Sequence, residues 1–213
     1  MKLYTSGLSP YGQRVKIALR AKGLLDRVEI IDQRPQTPQF RALNPTGKIP
    51  ALEVDGRVIP ESEVIVEFLE DAFPTPALKP ADPAGRAKVR LLTRICDLYV
   101  SPALSPLFFM LAPDKRDAAR IEEAFTRQAD AFRVLEAVMD GDGFAHGDAL
   151  TQADCALAPV LFFLQAIVPV YGRTPFEGAD KTRAYFQAIS SHAHVAPAIG
   201  ELTDALKTRM GRG

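Results

Sequence analysis

The sequence predicts an α/β N-terminal domain followed by an all-helical domain, and three observations carry that prediction. Over residues 1–60, short apolar runs and one helical repeat follow in the order strand, helix, strand, hairpin. Residues 73–83 then hold Pro74, Pro76, Pro80 and Pro83, a semi-rigid break in the chain. Beyond it, the periodic segments all have helical spacing. The boundaries expected are a first domain over 1–75, a linker over 76–83 and a helical domain over 84–213.

Lys2-Leu3-Tyr4-Thr5 alternates polar and apolar side chains as a strand does, and Ser6-Gly7 ends it. Val15, Ile17, Ala18, Leu19 and Ala21 continue at helical spacing to a glycine stop at Lys22-Gly23. The β-branched run 28–31 gives a second strand, and strand, helix, strand at this spacing makes a parallel βαβ unit. Residues 39–43 suit a short helical turn. Asp55-Gly56 between two apolar runs signals a type I′ hairpin, so the sheet turns antiparallel there. Ser62 reads as the cap of the next helix, with Val64, Ile65, Phe68 and Leu69 on its inner face and Glu63, Glu67 and Glu70 outside. In the helical part, a helix over 85–100 must bend or end at Pro102 and Pro106. A long helix follows over 114–139. Thr151 to Asp154 opens a buried helix as a capping box, with Asp154 where Glu or Gln is usual. Two helices, near 181–189 and 195–207, close the chain.

Lys plus Arg and Asp plus Glu balance at 26 each in 213 residues, so no net field points to nucleic acid or an anionic membrane. The segment 155–171 is short for a membrane span and holds Pro159, Gln165 and Pro169, which marks it as a core helix. Met1 is not followed by a basic and then an apolar region, which argues for the cytoplasm. Cys96 and Cys155 give no disulfide framework and read as small buried hydrophobes. His146, His192 and His194 have no zinc-ligand spacing, and a helix would turn the last two apart, so no metal is expected.

Function turns on residues 5–14, Thr-Ser-Gly-Leu-Ser-Pro-Tyr-Gly-Gln-Arg, where strand becomes helix. Ser9 falls at the N-cap and Pro10 at the first helical position, which tolerates the missing N–H. A hydroxyl there lies at the positive end of a helix, which stabilises an anion by about 0.3–1 kcal/mol when exposed and up to about 2 kcal/mol when partly buried. Taken locally, Ser9 reads first as a plain cap and second as part of an anion site. Tyr4, Thr5, Ser6 and Tyr11 are the other hydroxyls near the bend.

This order of elements, with Ser9-Pro10-Tyr11-x-x-Arg14, Lys48-Ile49-Pro50 and Glu61-Ser62, resembles the soluble glutathione transferase family, whose first domain has the thioredoxin fold. The resemblance extends over essentially the whole chain, and the 151–159 segment is similar to the family's buried central helix. At the bend the pattern is omega-like, Cys-Pro-Tyr followed by Gln-Arg, with Ser9 where the cysteine stands; tau-class members carry Ser-Pro-Phe. That departure argues against thiol transfer through a mixed disulfide. Zeta-class members begin Ser-Ser-Cys here, and Pro10-Tyr11 argues against zeta-type isomerisation.

The resemblance implies glutathione as co-substrate and a serine-type catalytic residue, Ser9, donating a hydrogen bond to the glutathione thiolate. A free thiol titrates near ~8.5, and lowering that by two units takes about 2.7 kcal/mol, which a hydroxyl and a helix dipole together can supply. It further implies Lys48 on the glycyl carboxylate and a cis Ile49–Pro50 bond that frees the Ile49 backbone for the cysteinyl moiety. Glu61 and Ser62 would hold the γ-glutamyl end. A second-substrate pocket is expected between the domains, from Tyr11, Tyr99 and Phe108, with Leu107 and Phe109 beside them. The activity implied is detoxifying conjugation of glutathione to a small hydrophobic electrophile by a homodimer. The alternatives are an inactive binding or regulatory protein, a glutathione-dependent isomerase, or an etherase.

Overall fold

Alternation builds the first strand: β1 (Lys2–Thr5) buries Leu3 and Thr5 and turns Lys2 and Tyr4 to the opposite face. The computed structural model describes residues 1–210 and divides into two units, Met1–Leu78 with the closing segment from His192, and Lys79–Ser191. In the first unit, β1 is followed by α1 (Pro10–Ala21), β2 (Glu29–Asp32), α2 (Pro38–Leu43), β3 (Ala51–Val54), β4 (Arg57–Pro60) and α3 (Ser62–Ala72). The strand order is β2-β1-β3-β4, with β1 parallel to β2 and antiparallel to β3. Asp55 and Gly56 take φ of 49° and 76°, the left-handed pair that a type I′ turn requires. Leu3, Val15, Ile17, Leu19, Leu52, Ile65 and Leu69 form the core of this unit. On the other sheet face, Phe40 of α2 meets Tyr4, ring centroids 5.8 Å apart.

Two positions on α3 differ from the periodic reading. Val64 is 52% exposed, whereas Glu70 is buried, and the inward face is centred on Ile65, Val66 and Leu69. Glu70 turns inward because two donors wait for it. Its carboxylate meets Lys22 Nζ at 2.7 Å and accepts the Leu78 N–H at 3.1 Å. Lys22 also donates to the carbonyls of Phe73 and Pro76, so a buried ion pair ties the end of α1 to α3 and to the proline-rich stretch. Replacing such a pair by apolar groups is often neutral, whereas removing one partner costs about 3–5 kcal/mol.

The second unit contains α4 (Pro83–Ile95), α5 (Ser101–Phe109), α6 (Ala118–Val138), α7 (Gln152–Ile167) and α8 (Asp180–Ser190). Pro102 does not end the helical run. Residues Cys96–Val100 wind as a π turn, and Ser101 N–H bonds back five residues to Cys96 C=O, which carries the chain into α5 across the missing proline donor. The helix expected from 114 starts later, because Asp117 caps it by accepting the Arg120 N–H at 3.1 Å. At the head of α7 the buried Asp154 carboxylate accepts from Thr151 N–H at 2.7 Å, Ala145 N–H at 2.8 Å and Tyr185 OH at 3.1 Å. Burial pushes its pKa up and these bonds oppose that shift. The stretch Gln152–Tyr171 is long and apolar enough to cross a membrane, yet 78% of its most apolar window is buried in the fold, as a core helix should be. Cys96 and Cys155 are both buried and free.

The closing helix, α9 (Ala196–Met210), lies with the first unit and packs on α1. Glu201 explains this attachment: its carboxylate bonds to Lys16, Arg20 and Gln13 of α1. His192 and His194 are not divided by a helix; they share the turn before α9, ring centroids 5.4 Å apart. Burial would raise the Glu201 pKa, but the Lys16 and Gln13 hydrogen bonds and the Lys16 and Arg20 charges hold it below the usual range. His194 is lowered by burial, then by the charges of His192 and Arg20.

Both depressed pKa values act in the same direction. Each contributes stability above its unfolded pKa, about 6.5 for histidine and about 4.3 for glutamate, that is lost as pH falls through the lower folded value. Hydrogen exchange of the α9 amides is therefore expected to speed up as pH drops below about 6.5 and again below about 4.3, after correction for intrinsic rates. His194→Gln should flatten the upper step; an unchanged upper step would separate His194 from the attachment of α9.

Candidate functional site

The bend after β1 is set by backbone bonds and one cap. Ser9 N–H bonds to Ser6 C=O at 3.1 Å, and Ser9 lies in extended backbone, φ −86° and ψ 111°. Its Oγ accepts the Gly12 N–H at 3.0 Å, and Pro10 follows at the first helical position. Ser9 is 8% exposed. Accepting that bond leaves the hydroxyl proton available at the positive end of α1, the chemistry an anionic sulfur or oxygen would use.

The competing hydroxyls differ in commitment. Tyr4 OH donates to Glu53 Oε2 at 2.6 Å, and this bond, then burial, pushes the phenol up to about 12, so it is already engaged as a donor on the far sheet face. Tyr11 is half-buried, with the Arg14 guanidinium 5.6 Å from its ring centroid. Thr5 is buried, and its Oγ1 fills the space that a side chain on Gly12 would need.

Strand register brings the other candidates to the same sheet end. Tyr4 at the end of β1 pairs with Ala51 at the start of β3, and Ala51 pairs with Pro60 at the end of β4. The segment entering β3 and the segment leaving β4 therefore lie at the same sheet end as the Ser9 bend, both on one side of β1. The Ile49–Pro50 bond is cis. Pro50 is buried, Ile49 half-buried and Lys48 exposed. Their loop is held by Asn44, whose Nδ2 donates to Lys48 C=O at 2.8 Å, and by Thr46 Oγ1, which accepts the Lys48 N–H at 3.2 Å. Ser62 is the first residue of α3 and not its cap. Glu61 holds that position with φ 66°, and its side chain makes no capping bond. Glu61 is exposed and Ser62 buried. Arg14, 1% exposed, links the two helix starts through Glu63 Oε2 at 3.6 Å.

In the helical unit, Tyr99 is 51% exposed on the π turn. Phe108 is half-buried, edge-on to Phe163 at 5.7 Å and to the exposed Phe109 at 5.9 Å. Leu107, by contrast, is wholly buried, so it belongs to the core and not to a substrate surface; its carbonyl accepts Tyr171 OH at 2.5 Å. Tyr11 sits in the other unit.

Two features had no signal in the sequence. One is the Arg14–Glu63 pair, which local spacing does not foretell. The other is a cleft of about 580 Å³ in the first unit, bordered by Ser6 to Leu8, by Arg34 and Pro35 after β2, and by Thr208 and Arg209 of α9. Its size suits a small molecule, and its lining carries both signs of charge, Asp32 with Arg34 and Arg209, beside apolar Leu8 and Pro35.

Residues 8–72 match the glutathione S-transferase N-terminal domain, and residues 118–188 match the glutathione S-transferase C-terminal domain. The chain is 36% identical to the maleylpyruvate isomerase of Ralstonia sp over 169 residues, covering 75% of this chain and 80% of that one. It is 33% identical to the maleylacetoacetate isomerase of Pseudomonas aeruginosa over 171 residues, 76% of this chain and 80% of that one. Among solved structures, a holo maleyl pyruvate isomerase described as a bacterial zeta-class glutathione S-transferase superposes with a TM-score of 0.77 and 29% identity. The match covers 93% of this chain and 96% of that one.

Gly12 tests the geometry of the bend. A Cβ there would fall 1.9 Å from Thr5 Oγ1, while alanine gains up to about 1 kcal/mol of helix propensity over glycine. The clash is expected to win, so Gly12→Ala should lower stability by about 1–3 kcal/mol in denaturant unfolding. In a Thr5→Ala background the same change should cost less but not nothing, because the Cβ atoms of residues 5 and 9 remain 3.1 Å and 3.3 Å from the added one. Stabilisation in the parent protein would show that Thr5 does not press on the helix.

Proposed function

Because the chain belongs to the glutathione S-transferase family of enzymes, we propose that it is a glutathione-dependent isomerase of small, electron-poor alkenes. The observation that carries this reading is its similarity, over four-fifths of their length, to two isomerases named for maleyl substrates. Isomerisation thus takes precedence over conjugation, the first expectation, even though Pro10-Tyr11 differs from the zeta motif.

The residues at the sheet end fit a glutathione-shaped group. Ser9 brings a hydroxyl proton to one helix start, and Ser62 with the N-terminal N–H groups of α3, which no side-chain cap covers, brings a second anion-binding start. In this reading Ser9 orients and stabilises the thiolate as a hydrogen-bond donor and is not itself a nucleophile. Ile49 ahead of β3 supplies backbone to an extended peptide, Pro50 sets its direction, and Lys48 meets a carboxylate. Ser62 and Glu61 hold the carboxylate and amine of the γ-glutamyl end. When bound, glutathione supplies a thiolate able to add to, and leave, a double bond conjugated with a carbonyl, so that it is not consumed.

The exposed apolar residues of the helical unit also support a homodimer. Leu91 and Leu98 are 48% and 52% exposed on the run from α4 into the π turn, a surface that a second copy would cover. Light scattering is expected to give twice the chain mass at micromolar concentration. A Leu91→Glu, Leu98→Glu variant that keeps the parental mass would place the contact elsewhere.

The deciding measurement follows maleylpyruvate isomerisation and total thiol together. Product formation with thiol unchanged is the expected result; thiol loss equal to product would return the reading to conjugation. Ser9→Ala should lower turnover by about 10- to 100-fold, the loss of one hydrogen bond to a charged group, with glutathione affinity within a few-fold. An unchanged rate would remove Ser9 from the site.

A further inference from the structure

The bend contains one buried polar group to which nothing above gives a role, the Thr5 hydroxyl. Thr5 is 3% exposed, and its Oγ1 has no hydrogen-bond partner among the described residues. It cannot be relieved by water at the surface, and an unmet buried hydroxyl is costly unless some state of the protein uses it. Its location is narrow. A Cβ built on Gly12 falls 1.9 Å from Thr5 Oγ1 and 3.3 Å from Ser9 Cβ. Thr5 Oγ1 therefore occupies the space that the missing Gly12 side chain leaves at the start of α1, with Ser9 beside it.

A hydroxyl has one proton to donate and two lone pairs with which to accept. Ser9 Oγ uses one lone pair on the Gly12 N–H at 3.0 Å. We propose that Thr5 is a positioning residue for Ser9: once an anion binds at the bend, Thr5 O–H donates to the second lone pair of Ser9 Oγ. With both lone pairs filled, the Ser9 proton has only the anion left to face. The relay runs Thr5 to Ser9 to the bound thiolate, and each bond polarises the next. No proton is transferred in the relay. Thr5 does not touch the thiolate, since its oxygen is closed to solvent. This inference rests on the proposed role of Ser9.

The test uses the full chain with Thr5→Val, which keeps the shape and removes the donor, and Thr5→Ser, which keeps the donor. Each is made alone and with Ser9→Ala. The thiolate absorbance of bound glutathione is followed from pH 5 to 9, and thermal midpoints are measured without glutathione. Thr5→Val is expected to raise the bound thiol pKa by about 0.5–1, a three- to tenfold loss of thiolate at a given pH, with glutathione Kd within twofold. Thr5→Ser should keep the parental value, and Thr5→Val should add nothing in the Ser9→Ala background. The glutathione-free thermal midpoint of Thr5→Val should not fall, because an unmet hydroxyl has been removed; should that variant not fold, Thr5→Ala serves as the second donor-free form. A parental thiol pKa in Thr5→Val, or a shift that persists with Ser9→Ala, overturns the inference alone. No shift in Ser9→Ala itself overturns the proposed role of Ser9 together with it, and leaves the isomerase reading to the thiol-balance assay.

Discussion

The close approach of a strand end to a helix start is the constraint on which the first unit depends. Thr5 ends β1 against the first turn of α1, and the two fit only because residue 12 has no side chain. The same residue donates the N–H that fixes the Ser9 hydroxyl. One glycine thus serves two purposes, a steric one below the helix and a hydrogen-bonding one at its end. Moving the helix away from the strand would relieve Thr5, but it would also carry Ser9 away from the end of the sheet where the entrance to β3 and the exit from β4 meet.

Helix α1 holds this position through charges as well as through its apolar face. Val15, Ile17, Ala18 and Leu19 face the core, as the sequence pattern requires. Its polar residues are also engaged: Arg14 reaches Glu63 of α3, Lys22 reaches Glu70 and the proline-rich stretch, and Gln13, Lys16 and Arg20 meet Glu201 of α9. A buried pair such as Lys22–Glu70 adds little net stability over apolar packing, but it penalises alternative arrangements, because a displaced partner leaves a charge without its counterion. The Glu70 and Lys22 side chains are 9% and 0% exposed. The three connections fix α1 at its start, along its side and at its end, so the Ser9 hydroxyl is carried on a rigid element.

Features encoded within a few residues were legible in the sequence. Ser9-Pro10, Asp55-Gly56 and Thr151 with Asp154 each specify a local geometry, and the cap, the turn and the buried carboxylate all stand where their patterns place them. Features that depend on distant partners were not. Glu70 looked like a surface residue until Lys22 and Leu78 N–H supplied its partners, and Val64 looked like core, whereas the buried face runs through Ile65, Val66 and Leu69. Leu107 was grouped with its aromatic neighbours, whereas one step along α5 separates a wholly buried side chain from the partly exposed Phe108. Glu61 as a cap with positive φ has no propensity signal, since that conformation is disfavoured for any residue with a Cβ and is enforced by the chain leaving β4. The proline at 102 marked an interruption of the α-helix, but its form, a π turn over Cys96–Val100 that leads into another helix, had no signal in the sequence.

The choice between isomerisation and conjugation does not reside in the activation site. Both reactions begin with the same requirement, a sulfur held as an anion beside a donor, and in the proposed reading the bend around Ser9 answers only that requirement. What separates them is the fate of the bond formed to carbon. A substrate with a good leaving group, or an adduct that cannot expel sulfur, ends as a conjugate; an alkene conjugated with a carbonyl can release the thiolate after rotation about what has become a single bond. Discrimination between the two reactions therefore belongs to the groups that meet the second substrate, since a cationic partner favours an anionic end and an apolar one a hydrophobic end. That is why a short motif at residues 9–11, read by itself, pointed away from zeta-type chemistry while similarity over most of the chain points toward it. In the proposed reading the motif concerns how sulfur is activated, and the remainder of the chain concerns what it meets.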